Sequence, residues 1–295
     1  MKRKFFLSVL ILFACLVAAP VPAHADMGPK PSVVVTFRNL RQKNCYATLL
    51  AQEESTGPHS VYNPGSENKY TGDAPKIWEK FAAYRDADGY HFLQFYQKLD
   101  ADGVFRWGYF PPKKFKILLY FPDDGTFAAS REACESYAFD SYFTVDASAL
   151  GTGGAAGGTV LSARRSYDYS GETVSLLVRI LLTIAVELLI ALPFGFRSAR
   201  QLGFIAAVNA ATQVTLNVLL NLVDYRKGQL ASLLLYFLLE VLVIVIEAAV
   251  YSRSATLAKG AKPGKKHHPV LYALTANIAS YAAGLALFFA IPQYL

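Results

Sequence analysis

Hydrophobic and polar positions follow two different patterns along the chain, and the change comes near residue 170. Before it, short apolar segments alternate with polar ones, and residues 33–38 show the two-residue period of a half-buried strand. After it, the apolar segments are long and almost uninterrupted. The pattern therefore predicts a β-rich region followed by a set of long helices.

The β-rich region is predicted to consist of short strands separated by turns rich in Pro, Gly and Asp. The strand candidates besides 33–38 are residues 45–51, 90–97, 104–110, 115–121 and 137–145. Pro75 begins an amphipathic helix, because Ile77, Trp78, Phe81 and Tyr84 fall on one face. We expect residues 26–148 to form an α+β unit that resembles a sandwich and carries this helix on one edge.

Four apolar segments occupy the second half, at residues 174–196, 202–223, 230–251 and 270–292. A helix rises about 1.5 Å per residue, so a segment of about 22 residues crosses a hydrocarbon core of roughly 30 Å. Residues 174–295 are therefore predicted to form an all-α transmembrane domain of four helices. The chain is expected to be a multi-pass membrane protein.

The N terminus has the pattern of a secretory signal peptide over residues 1–25. Lys2, Arg3 and Lys4 precede an apolar run, and Ala23-His24-Ala25 matches a cleavage site with small residues. Lipid attachment at Cys15 and an uncleaved signal anchor remain alternatives. The composition of residues 149–173 predicts a linker, since glycines dominate 151–158 and a polar stretch follows.

Composition and charge support the same organisation. The chain is 53% hydrophobic and carries a net charge of +7, but residues 26–173 are slightly acidic, which argues against binding to nucleic acid. The basic excess lies beside the apolar segments, in the loops 197–201 and 252–269. By the positive-inside rule these loops are cytoplasmic. We expect a plasma-membrane protein in contact with lipid, with the N-terminal domain outside the cell.

Cysteine and aspartate residues raise two questions about the outer domain. Cys45 and Cys134 are the pair left after signal cleavage, and an even pair in an exported domain predicts a disulfide, with two buried thiols as the alternative. The sequences 86–89 and 100–103 both read Asp-Ala-Asp-Gly. Their offsets do not match a calcium-binding EF-hand loop, so turns are favoured. No metal or cofactor site is expected.

Polar residues inside the apolar segments are the most informative candidates for a site. Their spacings of four and seven residues place them along single helix faces. Because unpaired polar groups are costly in lipid, such faces should point into the helix bundle. The set comprises Glu187, Asn209, Gln213, Asn217, Asn221, Glu240, Glu247 and Asn277.

Two functional readings stay open for this set. Glu187, Glu240 and Glu247 are candidates for proton or cation exchange, whereas a structural role makes them protonated groups that hold the helices together. The first expectation is a non-enzymatic protein whose outer domain binds an envelope ligand or protein partner. The bundle then anchors it and associates as a homo-oligomer or with other membrane subunits. The alternative is a small ion- or proton-coupled transporter component. No catalytic motif is present, so we do not expect an enzyme.

Three further stretches carry a resemblance. They are the predicted mature start at residues 26–33, residues 107–112 with 115–122, and the polar residues of the last three apolar segments. Together they resemble a group of exported bacterial multi-pass membrane proteins of the cell envelope. The resemblance implies the same topology and no particular activity, so it assigns no functional residue.

Overall fold

The structure is a computed structural model, and it describes residues 28–40, 44–63, 75–148, 150, 159–258 and 268–290. The predicted signal peptide at 1–25 and the glycine-rich stretch 151–158 lie outside the described residues. The chain divides into two compact units. One contains Pro29–Tyr167 together with Tyr225–Gly228, and the other contains the long helices from Asp168 onward.

The first unit is rich in short strands, as predicted. Its helix, α1, spans Pro75–Ala83 and begins at the predicted proline. Its strands are β1 (Ser32–Arg38), β2 (Tyr46–Ala51), β3 (Ser55–Thr56), β4 (His59–Ser60), β5 (His91–Phe92), β6 (Gln97–Lys98), β7 (Val104–Trp107), β8 (Lys114–Phe121), β9 (Thr126–Ser130), β10 (Cys134–Glu135), β11 (Asp140–Asp146), β12 (Thr159–Leu161) and β13 (Ala163–Arg165).

These strands form two main sheets of mixed direction. One has the order β13-β11-β1-β7, and the other has the order β12-β9-β8-β2-β5, with β10 paired to β8 and β6 paired to β2. The pairs β1/β11 and β9/β12 are parallel. The other pairs among the described residues are antiparallel, including the small β3/β4 hairpin.

Side chains from both sheets meet in one hydrophobic core, which includes Val35, Leu49 and Ile117. A second core lies on the other face of β2 and β8, where Trp78 and Phe81 of α1 pack. Strands β2 and β8 are therefore buried on both faces. The half-buried alternation expected for residues 33–38 is wrong, since these residues lie in the central strand β1, whose first four residues are all buried.

The two Asp-Ala-Asp-Gly sequences form turns, as favoured. The Gly89 N–H donates to the Asp86 carbonyl at 3.3 Å, and the Gly103 N–H donates to the Asp100 carbonyl at 3.1 Å. Both glycines have positive φ, +77° and +64°. Only glycine adopts such angles without strain. The strand predicted over 90–97 is interrupted between β5 and β6, where Gln94 has φ of 61°.

The predicted disulfide is absent, and both cysteines are free thiols. Cys45 lies next to Tyr46, which pairs with Tyr120 of β8, whereas Cys134 pairs with Phe115 at the other end of β8. These two positions are separated along the strand by about 17 Å, at about 3.3 Å per residue. A disulfide requires Cα atoms less than about 7 Å apart.

The segment predicted as a linker contributes two edge strands. β12 continues the second sheet beside β9, and β13 continues the first sheet beside β11. Neither strand exceeds three residues. Residues 159–165 therefore belong to the fold of the β-rich unit and do not act as a free tether.

The second unit contains the helices α2 (Tyr169–Ala191), α3 (Ala199–Lys227), α4 (Gln229–Arg253), α5 (Ala255–Ala258) and α6 (Pro269–Ala290). Three helices are long and apolar enough to cross a membrane among the described residues, namely α2, α3 and α4. The sequence predicted four such membrane-spanning helices. The fourth predicted segment forms α6, which packs closely against both α2 and α4.

Local hydrogen bonds cap the starts of two of the long helices. The Asp168 carboxylate accepts from the Gly171 N–H at 3.0 Å and caps α2. Ser198 and Gln201 form a capping box before α3, because each side chain accepts from the backbone N–H of the other. The Gln201 amide also donates to the Leu257 carbonyl of α5 at 3.4 Å.

Candidate functional site

The long helices carry their apolar side chains outward and their polar side chains inward. Leu181, Leu189 and Leu234 each expose more than half of their surface. In contrast, Glu187, Asn209, Glu247 and Asn277 are almost completely buried. Such an arrangement is typical of a protein surrounded by lipid, where a buried polar group is satisfied only by other polar groups of the protein.

The first carboxylate, Glu187 of α2, is held by α3. The Asn209 Nδ2 atom donates to Glu187 Oε2 at 2.6 Å and lies 3.0 Å from the Tyr251 hydroxyl of α4. The Tyr272 hydroxyl of α6 donates to the Glu187 backbone carbonyl at 3.1 Å. Glu187 is therefore linked to three other helices, either directly or through Asn209.

The second carboxylate, Glu247 of α4, accepts on both oxygens. The Thr212 hydroxyl of α3 donates to Oε1 at 2.8 Å, and the Asn277 Nδ2 atom of α6 donates to Oε2 at 2.7 Å. Asn277 also donates to the Ala273 carbonyl of its own helix at 2.9 Å. Both hydrogens of the Asn277 amide are thus engaged.

One turn of α3 connects the two carboxylates, since Asn209 and Thr212 are three residues apart. We refer to the connected group as the acidic cluster, which consists of Glu187, Asn209, Thr212, Glu247, Tyr251 and Asn277. It joins α2, α3, α4 and α6 through side-chain contacts in the interior of the helical unit.

Several buried acceptor atoms of the acidic cluster lack a hydrogen-bond donor. Three of its oxygens have no hydrogen-bond partner, namely Glu187 Oε1, Asn209 Oδ1 and Asn277 Oδ1. In folded proteins buried acceptors nearly always find a donor, and an unmet one costs about 1–3 kcal/mol. These oxygens can therefore take a further partner, such as a proton, a water molecule or a cation.

The predicted polar set is only partly gathered in this cluster. Gln213 and Asn217 are buried but bond along α3, where the Asn217 amide donates to the Gln213 carbonyl at 2.8 Å. Asn221 is half-buried farther along the same helix. Glu240 lies two turns before Glu247, is half-buried, and accepts a hydrogen bond from the Tyr236 hydroxyl.

Sequence reasoning missed three members of the site or its surroundings. Thr212 lies three residues after Asn209, and Tyr251 lies four residues after Glu247, so both share a helix face with a predicted residue. Tyr272 lies five residues before Asn277. The spacing signal existed for Thr212 and Tyr251, but threonine and tyrosine are common in membrane helices and do not stand out by composition.

The β-rich unit offers no comparable arrangement among its described residues. The large aromatic side chains of Trp107, Phe115 and Phe143 lie in the core. Burial raises the pKa of the Cys45 thiol to about 12 and that of Cys134 to about 11. Such thiols are almost entirely protonated at neutral pH and are poor nucleophiles.

No group of three or more His, Cys, Asp or Glu side chains that could hold a metal ion occurs in the described part of the chain. The oxygens of the acidic cluster are those that suit a proton or a hard cation, because they come from carboxyl and amide groups. Comparisons with protein-family models, curated proteins and solved structures found no match. The site is therefore interpreted from its own geometry.

Proposed function

We propose that the chain is a multi-pass plasma-membrane protein that acts as a proton- or cation-coupled transport component, with the acidic cluster as its exchange site. In this proposal α2, α3, α4 and α6 form a four-helix transmembrane bundle. The sandwich-like β-rich unit lies outside the cell, and the basic loops lie in the cytoplasm.

The observation that carries the proposal is the set of acceptors without a donor around two buried carboxylates. Polar groups that only join helices are expected to satisfy one another, since a network with unmet members is less favourable than an apolar interface. Here three oxygens lack a donor, next to two acids with no exposed surface. An exchange site needs such unmet acceptors, because the proton or cation is the missing donor or counter-charge.

This proposal favours the second of the two functions expected from the sequence. A binding role of the outer domain for an envelope ligand remains a prediction. Aromatic side chains of the β-rich unit such as Trp107 and Phe115 are buried in its core. Association with a second copy or with other membrane subunits also stays a prediction.

The test uses the full chain reconstituted in lipid vesicles that contain a pH-sensitive dye. A potassium diffusion potential drives protons inward, and separate runs apply a Na⁺ gradient to vesicles that contain a Na⁺-sensitive dye instead. We expect proton or cation entry above that of protein-free vesicles, with a loss of at least about tenfold in Glu187→Gln and in Glu247→Gln, as for removal of an essential acid–base group.

Thr215→Val is the matched control. Thr215 lies on the exposed side of α3 and donates only to the Ala211 carbonyl of its own helix. This variant should retain wild-type flux. The proposal is contradicted if neither protons nor Na⁺ enter faster than in protein-free vesicles. It is also contradicted if both glutamate variants keep the wild-type flux.

A further inference from the structure

The two carboxylates of the acidic cluster differ in their partners. Both oxygens of Glu247 accept hydrogen bonds, one from Thr212 and one from Asn277. Glu187 accepts only at Oε2, from Asn209, and its Oε1 atom is buried without a partner. An ionised carboxylate accepts at both oxygens and donates at neither. The surrounding donors therefore satisfy both oxygens of an ionised Glu247 but only one oxygen of an ionised Glu187.

The second unmet atom belongs to the partner of Glu187. Asn209 Oδ1 has no donor, although the Nδ2 atom of the same amide is bonded to Glu187. A carboxylic acid and a primary amide form a cyclic pair, in which the amide N–H donates to one carboxyl oxygen and the acid O–H donates to the amide oxygen. One proton on Glu187 Oε1 therefore satisfies two of the three unmet oxygens of the cluster, and Asn277 Oδ1 remains without a donor.

We propose that Glu187 carries the exchangeable proton of the acidic cluster on Oε1, hydrogen-bonded to Asn209 Oδ1, whereas Glu247 is the carboxylate that stays ionised. When the proton leaves, the Glu187 O–H bond breaks, its electron pair stays on Oε1, and water takes the proton. The cluster then holds two negative charges in an apolar surrounding until a proton or monovalent cation binds. The role in transport rests on the proposed function, whereas the location of the proton does not.

The groups that face Glu187 are consistent with one proton in the cluster. α3 contributes the neutral Asn209 amide. The titratable groups on the other elements are Glu247 and Tyr251 on α4, Tyr272 on α6 and, two turns from Glu247, Glu240 on α4. On α2 itself, Arg179 lies eight residues before Glu187. With Glu247 ionised nearby, a second negative charge at Glu187 is opposed by repulsion as well as by burial.

Infrared difference spectroscopy of the full chain in lipid vesicles tests this assignment, because a protonated carboxyl has a carbonyl band that a carboxylate lacks. The spectra are recorded at neutral pH with Glu240→Gln as the background, so that Glu240 does not contribute. We expect a protonated-carboxyl band in the background protein that is lost on adding Glu187→Gln and retained on adding Glu247→Gln. A band that survives Glu187→Gln, or its absence from the background protein, overturns the assignment.

A second variant keeps the test informative if Glu187→Gln does not fold. Asn209→Leu retains the acid but removes its amide partner, so the carbonyl band should move to higher frequency. Asn217→Leu is the control, because Asn217 bonds to Gln213 of its own helix, and it should leave the band in place. An unmoved band in Asn209→Leu contradicts the acid–amide pair.

The outcomes separate this inference from the proposed function. If the band belongs to Glu247 while flux still depends on both acids, the assignment fails and the transport function stands. If the band belongs to Glu187 but no proton or cation crosses the vesicle membrane, the assignment stands and the transport function fails.

Discussion

Lys116 offers a sharp test of the forces that hold the β-rich unit together, because it binds one buried and one exposed aspartate. Its Nζ atom lies 2.9 Å from Asp86 Oδ2 and 2.5 Å from Asp88 Oδ2. The side chains of Lys116 and Asp86 are each 6% exposed, whereas that of Asp88 is 65% exposed. The two acids therefore contact the same cation in very different surroundings.

The expected cost of removing each acid differs by at least about 2 kcal/mol. Asp86→Asn takes away the buried counter-charge, and breaking a buried ion pair costs about 3–5 kcal/mol. We expect about 3 kcal/mol, since Asp88 still neutralises part of the Lys116 charge. The side-chain carbonyl of the introduced asparagine can still accept from the backbone N–H of Asp88, as the Asp86 carboxylate does. Asp88→Asn removes an exposed partner and should cost less than about 1 kcal/mol.

Urea unfolding of the full chain in detergent, followed by tryptophan fluorescence, measures both variants. The chain has two tryptophans, Trp78 and Trp107, and both are buried in the β-rich unit. The fluorescence therefore reports on this unit alone. Equal destabilisation by the two variants, or a larger loss in Asp88→Asn, refutes the reasoning that burial decides the strength of the contact.

The same ion pair predicts a dependence on pH with a definite sign. Burial lowers the pKa of Lys116, but the hydrogen bonds to Asp88 and Asp86 outweigh it and the pKa is raised above the usual lysine value. A group whose pKa is higher in the folded state stabilises the fold below its unfolded pKa. Its contribution should be lost as the pH rises through the folded value. In Lys116→Met this alkaline step should be absent from the unfolding free energy.

Three further predictions concern other parts of the chain. Thr212→Val should lower the thermal stability of the helical unit by about 0.6–1.7 kcal/mol, as for other interhelical hydrogen bonds in membranes, while Thr215→Val leaves the circular dichroism melting curve unchanged. Cys45 and Cys134 should both react with maleimide after unfolding without reductant, and mass spectrometry detects the labels. If neither thiol is labelled, the free state of the two cysteines is contradicted. In the folded protein, the reaction of Cys134 should speed up about tenfold per pH unit toward its pKa. Gly103→Ala should cost about 1–2 kcal/mol in urea unfolding because of its positive φ, and an unchanged midpoint contradicts the strained turn.

The composition of the acidic cluster was largely readable from the sequence, but its contacts were not. Lipid excludes polar groups whatever the detailed packing, so a helix period alone placed Glu187, Asn209, Glu247 and Asn277 in the interior. Which of them meet depends on the height and rotation of each helix. Glu240 shares a stripe with Glu247 but bonds to Tyr236 of its own helix instead.

The β-rich unit shows the same limit in a different form. Alternation and turn residues located most strands and α1, because these signals act over a few neighbouring residues. The disulfide prediction failed because it needed the register of β8, which places Cys45 and Cys134 at opposite ends of that strand. The strands β12 and β13 are three residues long and have too short a pattern to be recognised.

Charge movement after a pH jump tests the central claim most directly, because it requires no knowledge of the transported substrate. Vesicles that contain the full chain are adsorbed on a solid-supported membrane, and the pH of the solution is stepped. We expect a transient current in the wild type and in Thr215→Val that is abolished in the double variant Glu187→Gln/Glu247→Gln. A transient that persists in the double variant, or no transient in the wild type, contradicts proton exchange at the acidic cluster.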